Sequence, residues 1–374
     1  MAAEKNNKTL NVPNLRFPEF SGEWELVALK EVADFANGKA HEDSVSEDGK
    51  YILINSKFIS TEGKVKKYTD KQLSPLYKNQ IVMVMSDLPN GKALAKCYYI
   101  NEDDKYTLNQ RICSLTPTCC DSRFLLYQIN RNKYYLRFDD GVNQTNLKKG
   151  EVLNCPVYLP SSNEQQKISA LLSLLDQRIA TQKKVIEKYE SLIRGIYHSV
   201  FSKPSSILQL REVVSVVKGK QVNGEELLKE GEYYVMNGGT EPSGYLNEYN
   251  TPANTISISE GGNSCGYVQY NIKPFWSGGH CYSLLQKDDG INYQYLYHFL
   301  KYMERDIMAL RIGSGLPNVQ KKDLERFEIR VLPIEQQNRV AEILEEVSAK
   351  CDLEKRILQR WQYQKSFLLS NLFI

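Results

Sequence analysis

The 374-residue sequence contains no uninterrupted apolar run near the ~18 residues that a membrane span requires. Its opening, Met1-Ala2-Ala3-Glu4-Lys5, lacks the basic-then-apolar layout of a secretory signal. With 25% charged residues and a mean hydropathy of −0.47, the chain reads as a soluble, cytoplasmic protein. Histidine is scarce: His41, His198, His280 and His298 are the whole set, and none is spaced as a ligand pair. The cysteines (Cys97, Cys113, Cys119, Cys120, Cys155, Cys265, Cys281 and Cys351) include no Cys-x-x-Cys. Zinc needs clustered soft ligands at short spacing, so no metal site is expected, and the thiols read as reduced, small core hydrophobes.

Catalytic signatures are missing as well. No Gly-x-x-x-x-Gly-Lys-Ser/Thr loop occurs, since Asn90-Gly91-Lys92-Ala93 lacks both the leading glycine and the hydroxyl. There is no Asn-Pro-Pro-Tyr type tetrapeptide to place an adenine amino group, and no glycine-rich turn suited to a methyl-donor cofactor. Asp352-Leu353-Glu354-Lys355 resembles a nuclease carboxylate cluster but lies within a long helical pattern. His280 and Cys281, as neighbours on a strand, would point to opposite faces and form no dyad. The sequence therefore predicts no catalytic site.

Net charge is also small, at +3, and the isoelectric point near 8.2 falls short of the ~9 usual for strongly basic nucleic-acid-binding domains. The distribution is uneven, however. Lys50 to Ile100 holds nine lysines against three acids, whereas Glu225 to Asp289 holds nine acids against three lysines. The acidic stretch could not face phosphates without cost, so the second half would present a basic minority or rely on Lys301 to Arg330.

What the chain does have is a repeat. Leu29-Lys30-Glu31-Val32 returns as Leu210-Arg211-Glu212-Val213, and Gly38-Lys39 as Gly219-Lys220, all displaced by 181 residues. Gly141 and Asn146-Leu147 return as Gly313 and Asn318-Val319, displaced by 172, and so do Gln165, Lys167 and Ile168 as Gln337, Arg339 and Val340. Leu159-Pro160 pairs with Leu332-Pro333. Common borders around unlike interiors suggest one scaffold used twice for two jobs of the same kind.

After each Leu-Pro a seven-residue apolar repeat begins. The first copy runs Ile168, Leu175, Gln182, Tyr189, Ile196 beside Leu172, Ile179, Ile186, Ile193, Val200. The second runs Val340, Val347, Glu354, Trp361, Leu368 beside Leu344, Cys351, Leu358, Lys365, Leu372. Alternating spacings of four and three put both rows on one stripe of a helix, and a strict heptad predicts that the two stripes face each other as an antiparallel coiled coil. Helices of ~39 residues would be ~58 Å long. Between these borders, short strand-like runs (Tyr51–Ile54, Ile81–Met85, Thr255–Ile258) alternate with Gly, Asn and Pro turns, and Phe124–Phe138 and Tyr293–Leu310 each read as a single helix. The fold class is α+β. The boundaries are 1–160 for a first module, 161–203 for its long helix, 204–333 for a second module, and 334–374 for the second helix.

These features resemble the specificity subunits of type I restriction-modification systems. The resemblance rests on Pro13-Asn14-Leu15-Arg16-Phe17-Pro18-Glu19-Phe20 with Trp24, on the module start Leu29-Lys30-Glu31-Val32, and on Leu159-Pro160-x-x-x-Glu164-Gln165-Gln166-Lys167-Ile168 with its second copy at Leu332–Val340. It implies two target-recognition domains, each reading one half of a split, asymmetric double-stranded DNA site. It also implies two helices that set the unread spacer and dock two methyltransferase subunits, which restriction/translocase subunits join. S-adenosylmethionine, ATP and Mg would belong to those partners and none to this chain.

Cationic side chains hold phosphates, while amides and guanidinium groups read base edges. The first module's DNA-binding candidates are therefore Lys39, Lys57, Lys64, Lys66, Lys67, Lys92, Lys96, Asn109, Gln110, Arg111, Gln144, Asn146, Lys148 and Lys149. The second module's are Lys220, Asn237, Asn263, Ser264, Arg311, Ser314, Asn318 and Lys321. Two other readings fit parts of the sequence. One is a coiled-coil adaptor with two protein-binding heads, against which the lysine-rich first module argues. The other is a self-sufficient restriction-methylation enzyme, against which the missing motifs argue.

Overall fold

The computed structural model describes residues 10–374 except Pro204, Asp288, Ser314 and Leu316, and omits the side chain of Glu42. The opening residues Met1 to Lys5 and the candidate Ser314 thus lie outside the described residues. The chain divides into two units, one running through Thr181 and including Leu358–Ile374, the other Gln182–Ile357. Both divisions fall inside the long helices, Ser162–Phe201 and Ile334–Asn371. Each unit therefore contains a module and a stretch of both helices.

In the first unit, Glu25–Ala28 pairs antiparallel with Pro156–Leu159, so the module's beginning and end lie side by side. One helical turn follows, Leu29–Val32, and the Glu31 carboxylate accepts the Ala28 N–H at 2.8 Å, satisfying a donor that the helix start leaves open. An antiparallel four-stranded sheet has the order Ala33–Asn37, Ile112–Pro117, Ile81–Val84, Cys97–Tyr99. A three-stranded sheet has the order Tyr68–Thr69, Tyr51–Ile54, Tyr106–Leu108, its last pair parallel. The apolar run Ile81–Val84 is buried on both faces. Ile81 and Met83 join a core with Leu29, Leu115, Leu125 and Tyr135, while Val82 and Val84 join one with Ile54, Phe58 and Leu108. Period-two alternation feeds each face.

The second unit repeats this plan on different side chains. Ser206–Gln209 pairs with Glu328–Val331, and Glu212 accepts the Gln209 N–H at 2.6 Å. The four-stranded order is Val214–Lys218, Cys281–Gln286, Thr255–Ser259, Val268–Asn271. The three-stranded order is Gly244–Leu246, Tyr233–Met236, Trp276–Ser277, again with its last pair parallel. Where the first unit buries Val82 and Val84, the second buries Ser257 and Ser259. These hydroxyls are satisfied: Ser257 Oγ accepts from the Asn271 amide at 2.9 Å, and Ser259 Oγ donates to Gly238 O at 2.7 Å.

One expectation requires correction. Phe124–Phe138 is not a single helix but Ser122–Ile129 followed by Lys133–Leu136, and Tyr293–Leu310 divides into Tyr293–Tyr302 and Glu304–Ala309. In the first unit the break is made by tertiary bonds. Arg131 adopts φ +54 and gives its N–H to Ala95 O at 2.9 Å, and Asn132 caps the next turn through Tyr134 N–H.

Each long helix is tied to its module by the same buried amide. Gln165 Oε1 accepts the Asp121 N–H at 2.9 Å and its Nε2 donates to Pro160 O at 2.9 Å. Gln337, 172 residues later, accepts the Asn292 N–H at 2.8 Å and donates to Leu332 O at 2.7 Å. Asp121 and Asn292 in turn cap the helices that follow them, accepting from Phe124 N–H and Tyr295 N–H.

The long helices pack antiparallel, and every stripe position named above is buried or half-buried. In the first unit Ile168, Leu172, Leu368 and Leu372 close over Trp24 and Phe124. In the second, Ile193, Ile196 and Val200 meet Val340, Ala341 and Leu344. The shared polar break is a contact: the Gln182 amide donates to Glu354 O at 3.2 Å and to the Glu354 carboxylate. The motif at the chain's opening packs here too. Arg16 makes a two-pronged pair with the buried Glu164 carboxylate at 2.8 and 2.7 Å.

Two outcomes follow. Gln165→Ala and Gln337→Ala each strand a buried N–H and C=O, so each should lower stability by roughly 1–3 kcal/mol in denaturant titrations; unchanged midpoints would show the amides to be dispensable. The second concerns His298, buried beneath Tyr197, whose hydroxyl lies 3.0 Å from its Nδ1. Burial lowers this imidazole to about 4, against ~6.5 for a free one. The unfolded chain then binds a proton that the folded chain refuses, so the stabilisation present above pH ~6.5 is lost as pH falls through that range toward 4, about 3 kcal/mol in all. Denaturation midpoints between pH 7 and pH 4.5 should drop more steeply for the natural protein than for His298→Gln.

Candidate nucleic-acid interface

In the first module, loops converge where the Ile81–Val84 strand ends. Met85 N–H donates to Arg111 O at 3.0 Å, and Met85 O accepts the Leu147 N–H at 2.8 Å. Ser86–Asp87 pairs with Thr145–Asn146. The Ser86 hydroxyl donates to Asn146 Oδ1 at 2.6 Å and accepts the Gln144 amide at 2.8 Å. Asp87 Oδ2 accepts the N–H groups of Ala93 and Leu94 at 2.6 and 3.0 Å, and the Asn90 amide donates to Gly141 O at 3.1 Å. The backbone amides of Asn143 and Val142 hold the Asp140 carboxyl below its usual range and close the turn at Asp140–Asn143. A shallow cleft of about 180 Å³, lined by Gln144, Asn146, Phe138 and Glu151 among others, lies at this convergence.

The second module forms the same junction. Glu260 N–H donates to His280 O at 2.9 Å, and Glu260 O accepts the Val319 N–H at 2.8 Å. The Asn318 backbone bridges both Gly261 and Ile312, and Gly262 N–H donates to Pro317 O at 3.1 Å. Strand register makes Met85 and Glu260, and Arg111 and His280, counterparts; the 172-residue repeat and the matching backbone bonds do the same for Leu147 and Val319. The repeated Gly-Lys serves the junction. A Cβ on Gly38 would collide with the Asn109 backbone, and one on Gly219 with Ser277 and Gly278. Only glycine lets these strands pass so close. Lys39 N–H and Lys220 N–H then bond Leu108 O and Ser277 O, at 3.1 and 2.9 Å.

The candidates fall into distinct places. Lys57, Lys64, Lys66, Lys67 and Lys92 are exposed on the first module's outer turns. Lys96 is half-buried and its ammonium donates to Ser60 O at 3.0 Å, an anchor for the Ser56–Ser60 turn. Gln110 and Arg111 are exposed, and Arg111 holds φ +65, which costs a non-glycine residue roughly 1–2 kcal/mol. Asn109 turns its Oδ1 inward, where it is buried without a hydrogen bond from any described residue. Gln144 and Asn146 belong to the Ser86 network, while Lys148 and Lys149 start the Lys149–Leu153 helix and are exposed.

In the second module Lys220, Asn263, Arg311 and Lys321 are exposed. Asn237 is half-buried and its Oδ1 accepts the His280 N–H at 3.0 Å. Ser264 shapes its own turn by accepting Tyr267 N–H, and Asn318 Oδ1 accepts the Gln320 amide. Of the Lys301-to-Arg330 cations, Lys301 is bound by Val268 O and Glu304, and Arg330 donates to Phe201 O at 2.9 Å, so both serve the fold. Sequence reading passed over Ser86, Lys218, Glu260 and, as a surface group, His280. His280 is exposed beside a buried Cys281, which confirms that the two make no dyad. Burial pushes the Cys281 thiol up to about 11 and Cys113 up to about 12, as expected of thiols used as core hydrophobes; Cys119, by contrast, is exposed.

The profile of the type I restriction modification DNA specificity domain matches residues 21–191 and again 203–360. The chain belongs to this family. Each match contains one copy of the junction described above. The type I specificity subunit S.MgeORF438P of Mycoplasma genitalium is 24% identical over 374 residues, with 94% of each chain covered. The MjaVIII specificity subunit of Methanocaldococcus jannaschii is 22% identical, with 99% of this chain and 95% of that one covered. The crystal structure of a type I restriction-modification S subunit from M. genitalium shares the fold with a TM-score of 0.75 at 23% identity, covering 97% of this chain and 99% of that one. Among the described residues no helix of this specificity-family chain is long and apolar enough to cross a membrane.

Proposed function

We propose that this chain is the non-catalytic DNA-reading subunit of a cytoplasmic type I assembly, in which each module reads one half of a split, asymmetric site. The observation that carries this is the pair of matched junctions. One backbone geometry, Leu147–Met85–Arg111 and Val319–Glu260–His280, presents unlike side chains in its two copies. A bipartite site with different halves requires such an arrangement. Exposed lysines of the first module supply phosphate contacts, and the loop amides and guanidinium groups face base edges. The long helices set the number of unread base pairs between the halves and dock two methyltransferase subunits, which restriction/translocase subunits join. Methyl transfer, with S-adenosylmethionine, and ATP- and Mg-dependent steps belong to those partners.

The decisive experiment co-expresses the chain with its methyltransferase subunit and maps methylated adenines across the genome. A split motif with a fixed spacer is the expected result. A stable complex without methylation would favour an adaptor instead. Replacing Lys64, Lys66 and Lys67 with Gln should weaken binding alike on all sequences and reduce the salt slope by up to ~2.7, at ~0.9 per phosphate contact; an unchanged slope would place the phosphates elsewhere. Inserting four residues, about one turn, into one long helix adds ~6 Å. The methylated motif should keep both half-sequences and gain base pairs between them, and an unaltered spacer would defeat the ruler.

A further inference from the structure

His280 occupies the position that Arg111 holds in the first module, immediately before the second strand of the four-stranded sheet. Its carbonyl binds Glu260 N–H as Arg111 O binds Met85 N–H. The surroundings differ in a directed way. Where the first module places Asn109 and Gln110 ahead of Arg111, the second places Gly278 and Gly279 ahead of His280. Gly238 and Gly262, at φ +84 and +78, belong to the neighbouring loops, and a Cβ on Gly238 would crowd His280 Cβ at 3.1 Å. The imidazole thus stands on a floor of glycines, 61% exposed, with few side chains to keep another molecule's edge away.

Beneath it lies a charge that the fold has deliberately fixed. Glu260 is buried, and its Oε1 accepts Lys218 Nζ at 2.8 Å and the Tyr282 hydroxyl at 2.9 Å. Its Oε2 is buried, accepts no hydrogen bond from any described residue, and lies 3.9 Å from His280 Nδ1. A buried carboxylate oxygen without a donor is costly, and the only imidazole near it is this one. Turned to donate its Nδ1–H to Oε2 as a hydrogen bond, the ring takes the tautomer in which Nε2 is an acceptor.

Resting on the reading of the modules as half-site readers, we propose that His280 is the base-reading residue of the second module and that Glu260 is its positioning residue. An outward acceptor at a major-groove edge fits an exocyclic amine, N6 of adenine or N4 of cytosine. The first module, with a guanidinium at the same position over Met85, would read an acceptor edge such as that of guanine.

The test uses the chain assembled with its methyltransferase subunit, and duplexes carrying the methylated motif with each base pair varied in turn. His280→Ala should reduce discrimination about tenfold at one or two base pairs of a single half-site, leaving the other half-site and the spacer unchanged. Glu260→Gln, which keeps an acceptor but weakens its hold on the ring, should relax the same base pair to a smaller extent, a coincidence that a merely structural role would not produce. Arg111→Ala should relax the opposite half. Discrimination preserved at every position in His280→Ala overturns the proposal. So does a uniform loss of affinity on all duplexes, in His280→Ala and in the milder His280→Gln alike. A natural complex that yields no split motif fails the functional reading itself, and is recognised before any variant is made.

Discussion

A helix of 40 residues with an apolar side chain at every third or fourth place cannot remain alone in water, and only a partner with the same repeat covers it along its length. This constraint organises the rest of the chain. Because the partner is a second copy of the same segment running the opposite way, the start of one helix shares a core with the end of the other. Ile168 and Leu172 therefore share a core with Leu372 and Trp24, and Val340 and Leu344 share one with Ile193 and Ile196. The break in each stripe becomes a hydrogen bond between counterparts, Gln182 and Glu354. Gln165 and Gln337 then fasten each module to its helix by four bonds that engage both ends of each of the two side-chain amides.

With the scaffold fixed in this way, the interiors are free to differ. Val82 and Val84 answer to Ser257 and Ser259, Met85 to Glu260, and Arg111 to His280, without change in strand order. The hydroxyls survive burial because Asn271 and Gly238 satisfy them. Two of the second module's cations that might have compensated for its acidic stretch, Lys301 and Arg330, are held by backbone carbonyls.

Much of the frame was legible before any coordinates. The heptads, the Leu-Pro borders and the Leu-Lys-Glu-Val turn are local patterns, and local patterns report local structure. The junction was legible only in part. Arg111, Gln144 and Asn146 stood out as polar residues between strands, but Asn109 and Asn237, equally polar, direct their oxygens inward. His280 was passed over because its correspondence with Arg111 runs at a displacement of 169, which neither border repeat suggests and only strand register reveals. The first module's helix was read as unbroken because Arg131 is held at φ +54 by Ala95, a residue far away in sequence.

By itself, then, the sequence determined that the chain is a duplicated α+β scaffold carried on a heptad helix pair, because periodicity and repetition are properties of order along the chain. Tertiary structure alone decided which loops share a junction, which polar groups are spent holding it, and which side chains are left facing out. Those depend on hydrogen bonds between residues 20 to 172 positions apart, such as Glu260 to His280 and Leu147 to Met85 within a module, or Gln182 to Glu354 between the helices. Register between strands is set by cores that form only when the whole module closes, and no local pattern encodes it.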